Sequence, residues 1–300
     1  MKVCNMPANQ SQKQPLDALT VIVVTYNSAH CIADLAPALR GLTHLILVDN
    51  ASTDDTVKKI IELLPNARLL LNEKNAGFGA ANNRALQQTS TPFALLLNPD
   101  TLPDSDFFEK IIEASEQFPE AAMIAPQLVR RNGSNEINYR WPSSRWKSRG
   151  PGADGPCCVG FLCGAAIFIH IKNMEKIGFF DENFFLYYED EDLSQRAFLN
   201  FSPMVVVPQI RLKHLSRGSV KGQTPLRAEF LRGYHHAQSK LVFEEKHNNG
   251  AKWLQLKTLA LAMLLLPLRL LLPQPKYIAR LIGRTAGLIS WKGTDYHKKK

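Results

Sequence analysis

The stretch ALLLNPDT, residues 94–101, runs four apolar residues straight into Asn98, Pro99 and Asp100. A short unbroken apolar run closed by turn residues reads as a strand buried on both faces. Its end is either a plain capped turn or a place where a carboxylate meets something positive. The same pattern recurs upstream. ALTVIVVTYN (18–27) ends in Thr25, Tyr26 and Asn27, HLILVDN (44–50) ends in Asp49 and Asn50, and ARLLLN (67–72) is a third apolar run. Helical stretches lie between them: residues 29–39, then STDDTVKKIIELL (52–64) with Ser52 or Thr53 as expected N-cap and acids behind it, then GAANNRALQQT (79–89). Strand alternating with helix over short links predicts an α/β fold whose mostly parallel sheet has helices on both faces. Ligands of such sheets sit beyond the carboxyl ends of the strands. The polar ends at 25–27, 49–50 and 98–100 all fall on that edge.

Downstream, DSDFFEKIIEASEQF (104–118) predicts an amphipathic helix capped by Asp104 or Ser105, and AAMIAPQLV (121–129) a strand. Residues 130–156 read as a long basic loop in which Tyr139, Trp141 and Trp146 interleave with six arginines and lysines. VGFLCGAAIFIHI (159–171) returns to strand character. Residues 174–200 contain a short helix, a turn at Gly178 and a helix carrying Glu189, Asp190, Glu191 and Asp192. PMVVVPQIRLKHLSRGS (203–219) predicts a strand pair or an edge strand, with Pro208 favouring the edge.

Charge divides the chain. Residues 1–200 hold 18 Lys/Arg against 23 Asp/Glu, a net of −5, whereas residues 201–300 hold 18 against 4, a net of +14. A basic tail on a balanced chain predicts contact with an anionic surface, either nucleic acid or a membrane leaflet. From about residue 226 the pattern is helical. LQLKTLALAMLLLPLRLLL (254–272) is interrupted by Lys257, Pro267 and Arg269, which favours an interfacial or re-entrant helix over a spanning one; a helix pair packed on the main domain is the alternative. The polar first 17 residues lack an apolar stretch of the kind that opens a signal peptide, and residues 1–18 read as a flexible leader. The 5 cysteines have no zinc-site spacing, so reduced thiols are expected.

Each candidate site residue has an ordinary structural explanation beside the chemical one. Asp49 is either a turn residue or an acceptor for a ribose or base. Asn98 and Asp100, held apart by Pro99, form either a turn or a hard-oxygen site for Mg²⁺ or Mn²⁺ on a diphosphate. The four acids from Glu189 are either a solvated helix start or, beside the aromatics of FFDENFFLYY, a base with raised pKa. Helical spacing predicts that two of them face a cleft and two face water. Gly77 and Gly79 precede a helix and would let backbone approach a ligand. His214 alone is an ordinary histidine; with Asp100 it becomes a contact to metal or phosphate.

Taken together, VIVVTYNS (21–28), LILVDNASTDDT (45–56), NEKNAGFGAANN (72–83), LLLNPDT (95–101), GFLCGAAIFIH (160–170), IGFFDENFFLYYEDEDLSQR (177–196) and HLSRGS (214–219) resemble the family-2 glycosyltransferases with the GT-A fold, nearest to rhamnosyltransferase-like members. The resemblance covers roughly residues 19–220. It implies an inverting transfer from a UDP- or dTDP-sugar, with rhamnose one candidate, to a hydroxyl of a lipid-linked or polysaccharide acceptor in cell-surface glycan synthesis. It implies a nucleotide cradle of Thr25, Tyr26, Asn27, Asp49, Asn75, Gly77, Asn83 and Asn98. Asp100 and His214 would hold Mg²⁺ or Mn²⁺, with Asn98 standing where the family has its first acid. Asp190 would be the base with Glu189 as partner, and Gly164 and Ala165 would floor the sugar and acceptor pocket, with Trp141 and Trp146 stacking on sugar rings. The expected organisation is a catalytic domain over 19–225, divided into a nucleotide half (19–102) and an acceptor half (103–225), then a basic helical region over 226–300. That region would hold the enzyme to the anionic inner face of the cell membrane, in the cytoplasm, with no nucleic-acid partner. A nucleotidyltransferase is the enzymatic alternative, but TYNSAHC lacks the basic Gly-rich loop it needs. A surface-binding module without catalysis would leave the acidic strand ends unexplained.

Overall fold

The computed structural model describes residues 16–141, 152–215, 225–248, 250–270 and 274–294, with no side-chain description for 265–270. Trp146 and most of the expected leader lie outside these residues. The chain runs β1 (Leu19–Thr25), α1 (Ala29–Leu39), β2 (Leu45–Asp49), α2 (Thr56–Leu63), β3 (Arg68–Leu71), α3 (Phe78–Leu86), β4 (Phe93–Leu97), β5 (Thr101–Leu102), α4 (Phe107–Gln117) and β6 (Met123–Val129). There follow β7 (Tyr139–Arg140), β8 (Cys157–Cys158), β9 (Phe161–Leu162), β10 (Ala166–His170), α5 (Glu189–Leu199), β11 (Met204–His214), α6 (Pro225–Asn248), α7 (Ala251–Leu270) and α8 (Pro275–Ser290).

The main sheet has the order β3-β2-β1-β4-β10-β6-β11-β5. Its first four strands are parallel, as the alternation of strand and helix requires. Beyond β4 the sheet is mixed, because β10 enters antiparallel to both β4 and β6. Successive side chains of a strand point to opposite faces, and here both faces are covered. Val21 and Val23 pack with Ile32 and Leu35 of α1 and with Phe107 and Ile111 of α4. Ile22 packs on the other side with Ala81 and Ala85 of α3 and Leu193 of α5. That double burial explains why β1, β2 and β4 read as unbroken apolar runs.

Three local expectations shift. α2 starts at Thr56 behind Asp55, not at Ser52 or Thr53, because Ser52 is held by Asp49. α4 starts at Phe107 behind Asp106, two residues past Asp104. β11 is one long strand rather than a pair or an edge. Pro208 falls in a register break between Val207 and Arg211, and β8 and β5 cover the outer side of β11 at its two ends. A residue without an N–H is tolerated at such a bulge.

The C-terminal helices pack on the α/β unit through α6. Lys246 lies 2.6 Å from Asp181 and 2.7 Å from Asp192, and Ser239 Oγ donates to the Leu186 carbonyl at 2.8 Å. α6 and α8 cross backbone to backbone. A Cβ built on Gly233 or Gly283 would run into the carbonyl oxygens of Arg280 and Phe230, and one on Gly287 would sit 2.5 Å from the Tyr234 carbonyl. No helix among the described residues is long and apolar enough to cross a membrane. α7 nevertheless exposes Trp253, Leu256, Met263 and Leu264.

Because neighbouring backbone fills the space at Gly283, Gly283→Ala forces α6 and α8 apart. The expected cost is about 1–3 kcal/mol, seen as an earlier midpoint in urea. An unchanged midpoint would show that the crossing is looser than described.

Candidate active site

The parallel register sets Thr25 beside Asp49. Both are buried, and Thr25 Oγ1 donates to Asp49 Oδ1 at 3.0 Å. Ser52 adds two bonds to the same carboxylate, from its N–H to Oδ2 at 2.8 Å and from its hydroxyl to Oδ1 at 2.5 Å. Asp49 therefore closes a side-chain turn at the strand end. Asn27, at φ 50°, donates its N–H to Ser52 Oγ at 2.8 Å, and its Oδ1 accepts from the Thr53 N–H at 2.8 Å. Tyr26 is half-buried on the same edge. Thr25, Tyr26, Asn27 and Asp49 thus form one knitted rim.

Asn50 is the hub that the sequence reading passed over. Its Oδ1 accepts from Asn72 Nδ2 at 2.8 Å and from the Ala76 N–H at 2.9 Å. Its Nδ2 donates to Asn75 Oδ1 at 2.9 Å and to the Gly77 carbonyl at 3.1 Å. The available signal was a buried polar residue directly after the strand-end acid, with more asparagines in the loop it would meet. Gly77 has φ 92°, and a Cβ there would collide with the Phe185 carbonyl, which accepts from the Phe78 N–H at 3.1 Å. Its glycine is required by the chain's own backbone. Asn83 spends its amide on the approach to the acid cluster. It donates to the Phe180 carbonyl at 2.8 Å and to Glu182 at 2.9 Å, and accepts from the Phe180 N–H at 3.0 Å.

At the end of β4 the Asn98 N–H donates to the Ala165 carbonyl at 2.9 Å, so β10 extends the edge. The Asn98 carbonyl accepts from Thr101 Oγ1 at 2.7 Å, a tight turn around buried Pro99. Asp100 is 2% exposed. Pairing of β5 with β11 aligns Thr101 with His214, which brings His214 Nε2 to 3.5 Å from Asp100 Oδ1. On its far side, His214 Nδ1 meets Glu136 Oε2 at 2.8 Å. Burial alone would pull the His214 pKa down, but Asp100 and Glu136 together hold it above the usual range. Glu136, in the loop after β6, was not foreseen.

The four acids have four different surroundings. Glu189 is 6% exposed, and its Oε2 has no hydrogen-bond partner among the described residues. Burial, then repulsion from Asp190, raises its pKa well above the carboxylate range. Asp190 is half-buried and accepts from the Gly164 N–H at 3.0 Å and the Glu191 N–H at 2.9 Å. Burial raises it too, against those two N–H groups and Arg140, which favour the charged form. Glu191 is gripped by Arg140 at 2.6 and 2.8 Å, and that guanidinium lies 4.0 Å over the Phe161 ring. Asp192 is fully buried. Burial pushes its pKa up, but His247, Arg196 and Lys246 more than offset this and hold it low. The expectation that two acids face water is corrected: Glu191 and Asp192 are held by basic side chains, which burial of a charge demands.

Gly164 and Ala165 lie between the Asn98 turn and Asp190, linked to each by a backbone hydrogen bond. Trp141 is half-buried against the inner core layer, its ring 5.9 Å from Tyr139 and nearly perpendicular to it. The half-buried Cys163 thiol is pushed up to about 12, chiefly by desolvation, which disfavours its thiolate. Asp49 and Asp100 thus lie at the carboxyl ends of β2 and β4, and Asp190, at the start of α5, meets the Gly164 N–H just before β10.

The pKa directions fix signs. Asp192 is depressed in the fold, so its stabilisation is present above its unfolded pKa of about 3.9 and is lost as pH falls through the folded value. Glu189 is raised, so keeping it ionised costs stability above about pH 4.3. Glu189→Gln is therefore expected to hold or raise the melting temperature near neutral pH and to flatten its pH dependence. Asp192→Asn is expected to cost about 3–5 kcal/mol. Thermal unfolding across the acid range checks both, and earlier melting of Glu189→Gln at neutral pH would contradict the first.

The chain is similar to proteins of known activity. It is 26% identical over 269 residues, covering 77% of this chain and 86% of the relative, to an N-acetylglucosaminyl-diphospho-decaprenol L-rhamnosyltransferase of Mycobacterium tuberculosis. Its fold resembles a mannosyltransferase of Pyrobaculum calidifontis solved with GDP-Man and Mn²⁺, at TM-score 0.53 and 17% identity over 91% of this chain and 87% of that one. It also resembles Staphylococcus aureus TarS solved with UDP-GlcNAc, at TM-score 0.50 and 20% identity over 72% of this chain and 66% of that one. The rhamnosyltransferase and the mannosyltransferase are glycosyltransferases by name, and the GT-A architecture expected from the motifs is the one observed. The sequence profile described as Glycosyl transferase family 2 matches residues 20–177, more than half of the chain, and the chain therefore belongs to that family of glycosyltransferases.

Proposed function

We propose that this enzyme moves a sugar, with rhamnose the leading candidate, from a UDP- or dTDP-sugar to a hydroxyl of a lipid-linked or polysaccharide acceptor, with inversion at the anomeric carbon. The observation that carries this is the placement of Asp190. It is anchored to Gly164, one residue from the Ala165 carbonyl that holds Asn98, so the base borders the turn that ends in Asp100. Asp190 takes the proton of the acceptor hydroxyl, and that oxygen attacks the anomeric carbon. The bond from the anomeric carbon to the diphosphate oxygen breaks, and its electron pair leaves with the nucleoside diphosphate. Burial makes Asp190 a stronger base than a solvated aspartate, while the N–H groups of Gly164 and Glu191 fix its orientation. Glu189 beside it is raised by burial and by repulsion from Asp190, so it gives up its proton less readily than a solvated glutamate.

Mg²⁺ or Mn²⁺ fits the pair Asp100 and His214. A buried carboxylate oxygen and an imidazole nitrogen face each other at 3.5 Å, with Glu136 orienting the ring from behind. No cluster of three metal-binding side chains exists among the described residues, so the donor's phosphates would complete the shell. Such an ion supplies charge stabilisation for the departing diphosphate. The rim from Thr25 to Asn27, with Asp49, Asn75, Gly77, Asn83 and Asn98, is the proposed nucleotide side; Gly164, Ala165 and Trp141 form the sugar and acceptor side. α7 is the proposed contact with the inner face of the cell membrane. It exposes Trp253, Leu256, Met263 and Leu264, with Lys257 Nζ 4.7 Å over the Trp253 ring, and belongs to the strongly basic last third of the chain. The product would enter a cell-surface glycan such as O-antigen or a cell-wall polysaccharide.

Asp190→Asn is expected to cut transfer by about 10²–10⁴-fold while donor binding, read by calorimetry, stays unchanged. Substantial turnover by that variant would remove Asp190 from the role. Asp100→Asn is expected to abolish the strengthening of donor binding by Mn²⁺; a variant that still responds fully to Mn²⁺ would move the metal elsewhere. Placing acids on the apolar face of α7, as in Leu256→Glu with Leu264→Glu, is expected to release the protein from anionic vesicles in co-sedimentation.

A further inference from the structure

Away from the sheet edge, α6, α7 and α8 line a partly open cavity of about 60 Å³. A water-sized group needs roughly 10–15 Å³ of such space, so about four to six fit, which is room for a phosphate group. Leu241, Leu254 and Leu288 supply apolar wall. His236, Lys240, Thr258 and Arg284 supply the polar wall, and none of the four is an acid.

The charges on this wall are unbalanced. Among the described residues neither Lys240 nor Arg284 forms an ion pair. His236 Nδ1 is buried and has no hydrogen-bond partner. Other basic side chains of the same helix pair do meet acids. Arg232 and Arg280 both meet Glu229, Arg280 through an Nε bond of 2.6 Å. Glu244, one turn along α6 from Lys240, is occupied by Asn248 at 2.9 Å. Burial and the nearby positive charges of Arg284, Lys240 and Arg280 together push His236 down to about 4, so the local field is positive and the imidazole stays neutral. Two cations, a hydroxyl and an imidazole around a cavity form a donor set that lacks its acceptor.

We propose that this cavity binds the phosphate group of a membrane amphiphile, through Lys240 and Arg284 with Thr258 and His236 as further polar contacts. The amphiphile is favoured over a soluble phosphate because Leu254 and Thr258 belong to α7, the helix that exposes Trp253, Leu256 and Leu261. An acyl chain leaving the cavity would have apolar surface to follow. The site also borders the catalytic helix. The His236 ring lies 6.0 Å from Tyr187 and 5.2 Å from Tyr188, the two left-handed residues that lead into Glu189 and Asp190. A filled cavity would brace the start of α5.

The test is binding to the full chain by calorimetry, with inorganic phosphate and with lysophosphatidic acid below its micelle concentration. It measures no sugar transfer, so its failure and that of the glycosyltransfer reading are separable. Both probes are expected to bind, lysophosphatidic acid more tightly. Lys240→Gln and Arg284→Gln should each weaken both by about tenfold, the loss of one charge-assisted hydrogen bond. Lys176→Gln, at an exposed lysine of the α/β unit, should change neither. Arg284→Lys should restore part of the affinity and guards against a folding defect, as does an unchanged melting temperature in Lys240→Gln. Equal affinity for the two probes would overturn the amphiphile. Binding that is indifferent to Lys240 and Arg284 would overturn the site.

Discussion

The N–H of Gly164 donates to Asp190 at 3.0 Å and ties the start of α5 to the segment just before β10. α5 does not belong to the sheet, yet its first residues must meet the sheet's carboxyl edge. β10 makes this possible by running antiparallel to β4. Its register puts Ala166 beside Leu97, so Ala165 and Gly164 fall beside the Asn98 turn. A side chain at residue 164 would press against the Phe78 ring, with Cε1 at 3.3 Å, and against Asp190 Cβ at 3.6 Å. The absence of that side chain lets an acid, an aromatic ring and a strand end meet at one point.

Around that contact, the electrostatics divides four consecutive carboxylates into separate tasks. A helix start tolerates negative charge because its N–H groups are unsatisfied, but burying several acids together is costly. The chain offsets the cost unequally. Asp192 receives three basic partners and becomes the bolt between α5 and α6, while Glu191 receives Arg140. Asp190 receives two backbone N–H groups and the charge of Arg140, and Glu189, whose Oε2 has no hydrogen-bond partner among the described residues, is pushed up by burial. Two left-handed tyrosines precede them, each a conformation costing about 1–3 kcal/mol. Tyr188 is held there by its packing on His236 and Phe243. The C-terminal helices therefore support the start of α5 as well as any surface they meet.

The rim around Asn50 shows the same economy in neutral groups. Asn50 satisfies all four hydrogen-bonding positions of its amide across the loop from Asn72 to Gly77. Gly77 and Asn83 then tie that loop and α3 to residues 180–185. The rim and the acid helix are consequently parts of one hydrogen-bonded frame, although about a hundred residues separate them in the chain.

The apolar runs of β1, β2 and β4 and their polar ends were legible in the sequence, because burial on both faces leaves no alternation and strand ends carry the ligand edge. Helix existence was legible too, whereas the starts of α2 and α4 were displaced by competing turn bonds at Asp49 and Asp104. The roles of Glu136, Asn50 and Arg140 were not, since each acts on a residue far along the chain or in a loop with no periodicity. The sequence by itself determined a doubly covered α/β sheet, an acidic edge and a basic helical tail, all of which follow from local pattern and composition. Only the tertiary structure decided which acid lies against which cation and which glycine meets which carbonyl. Those pairings depend on strand register and helix crossing, which no local pattern encodes.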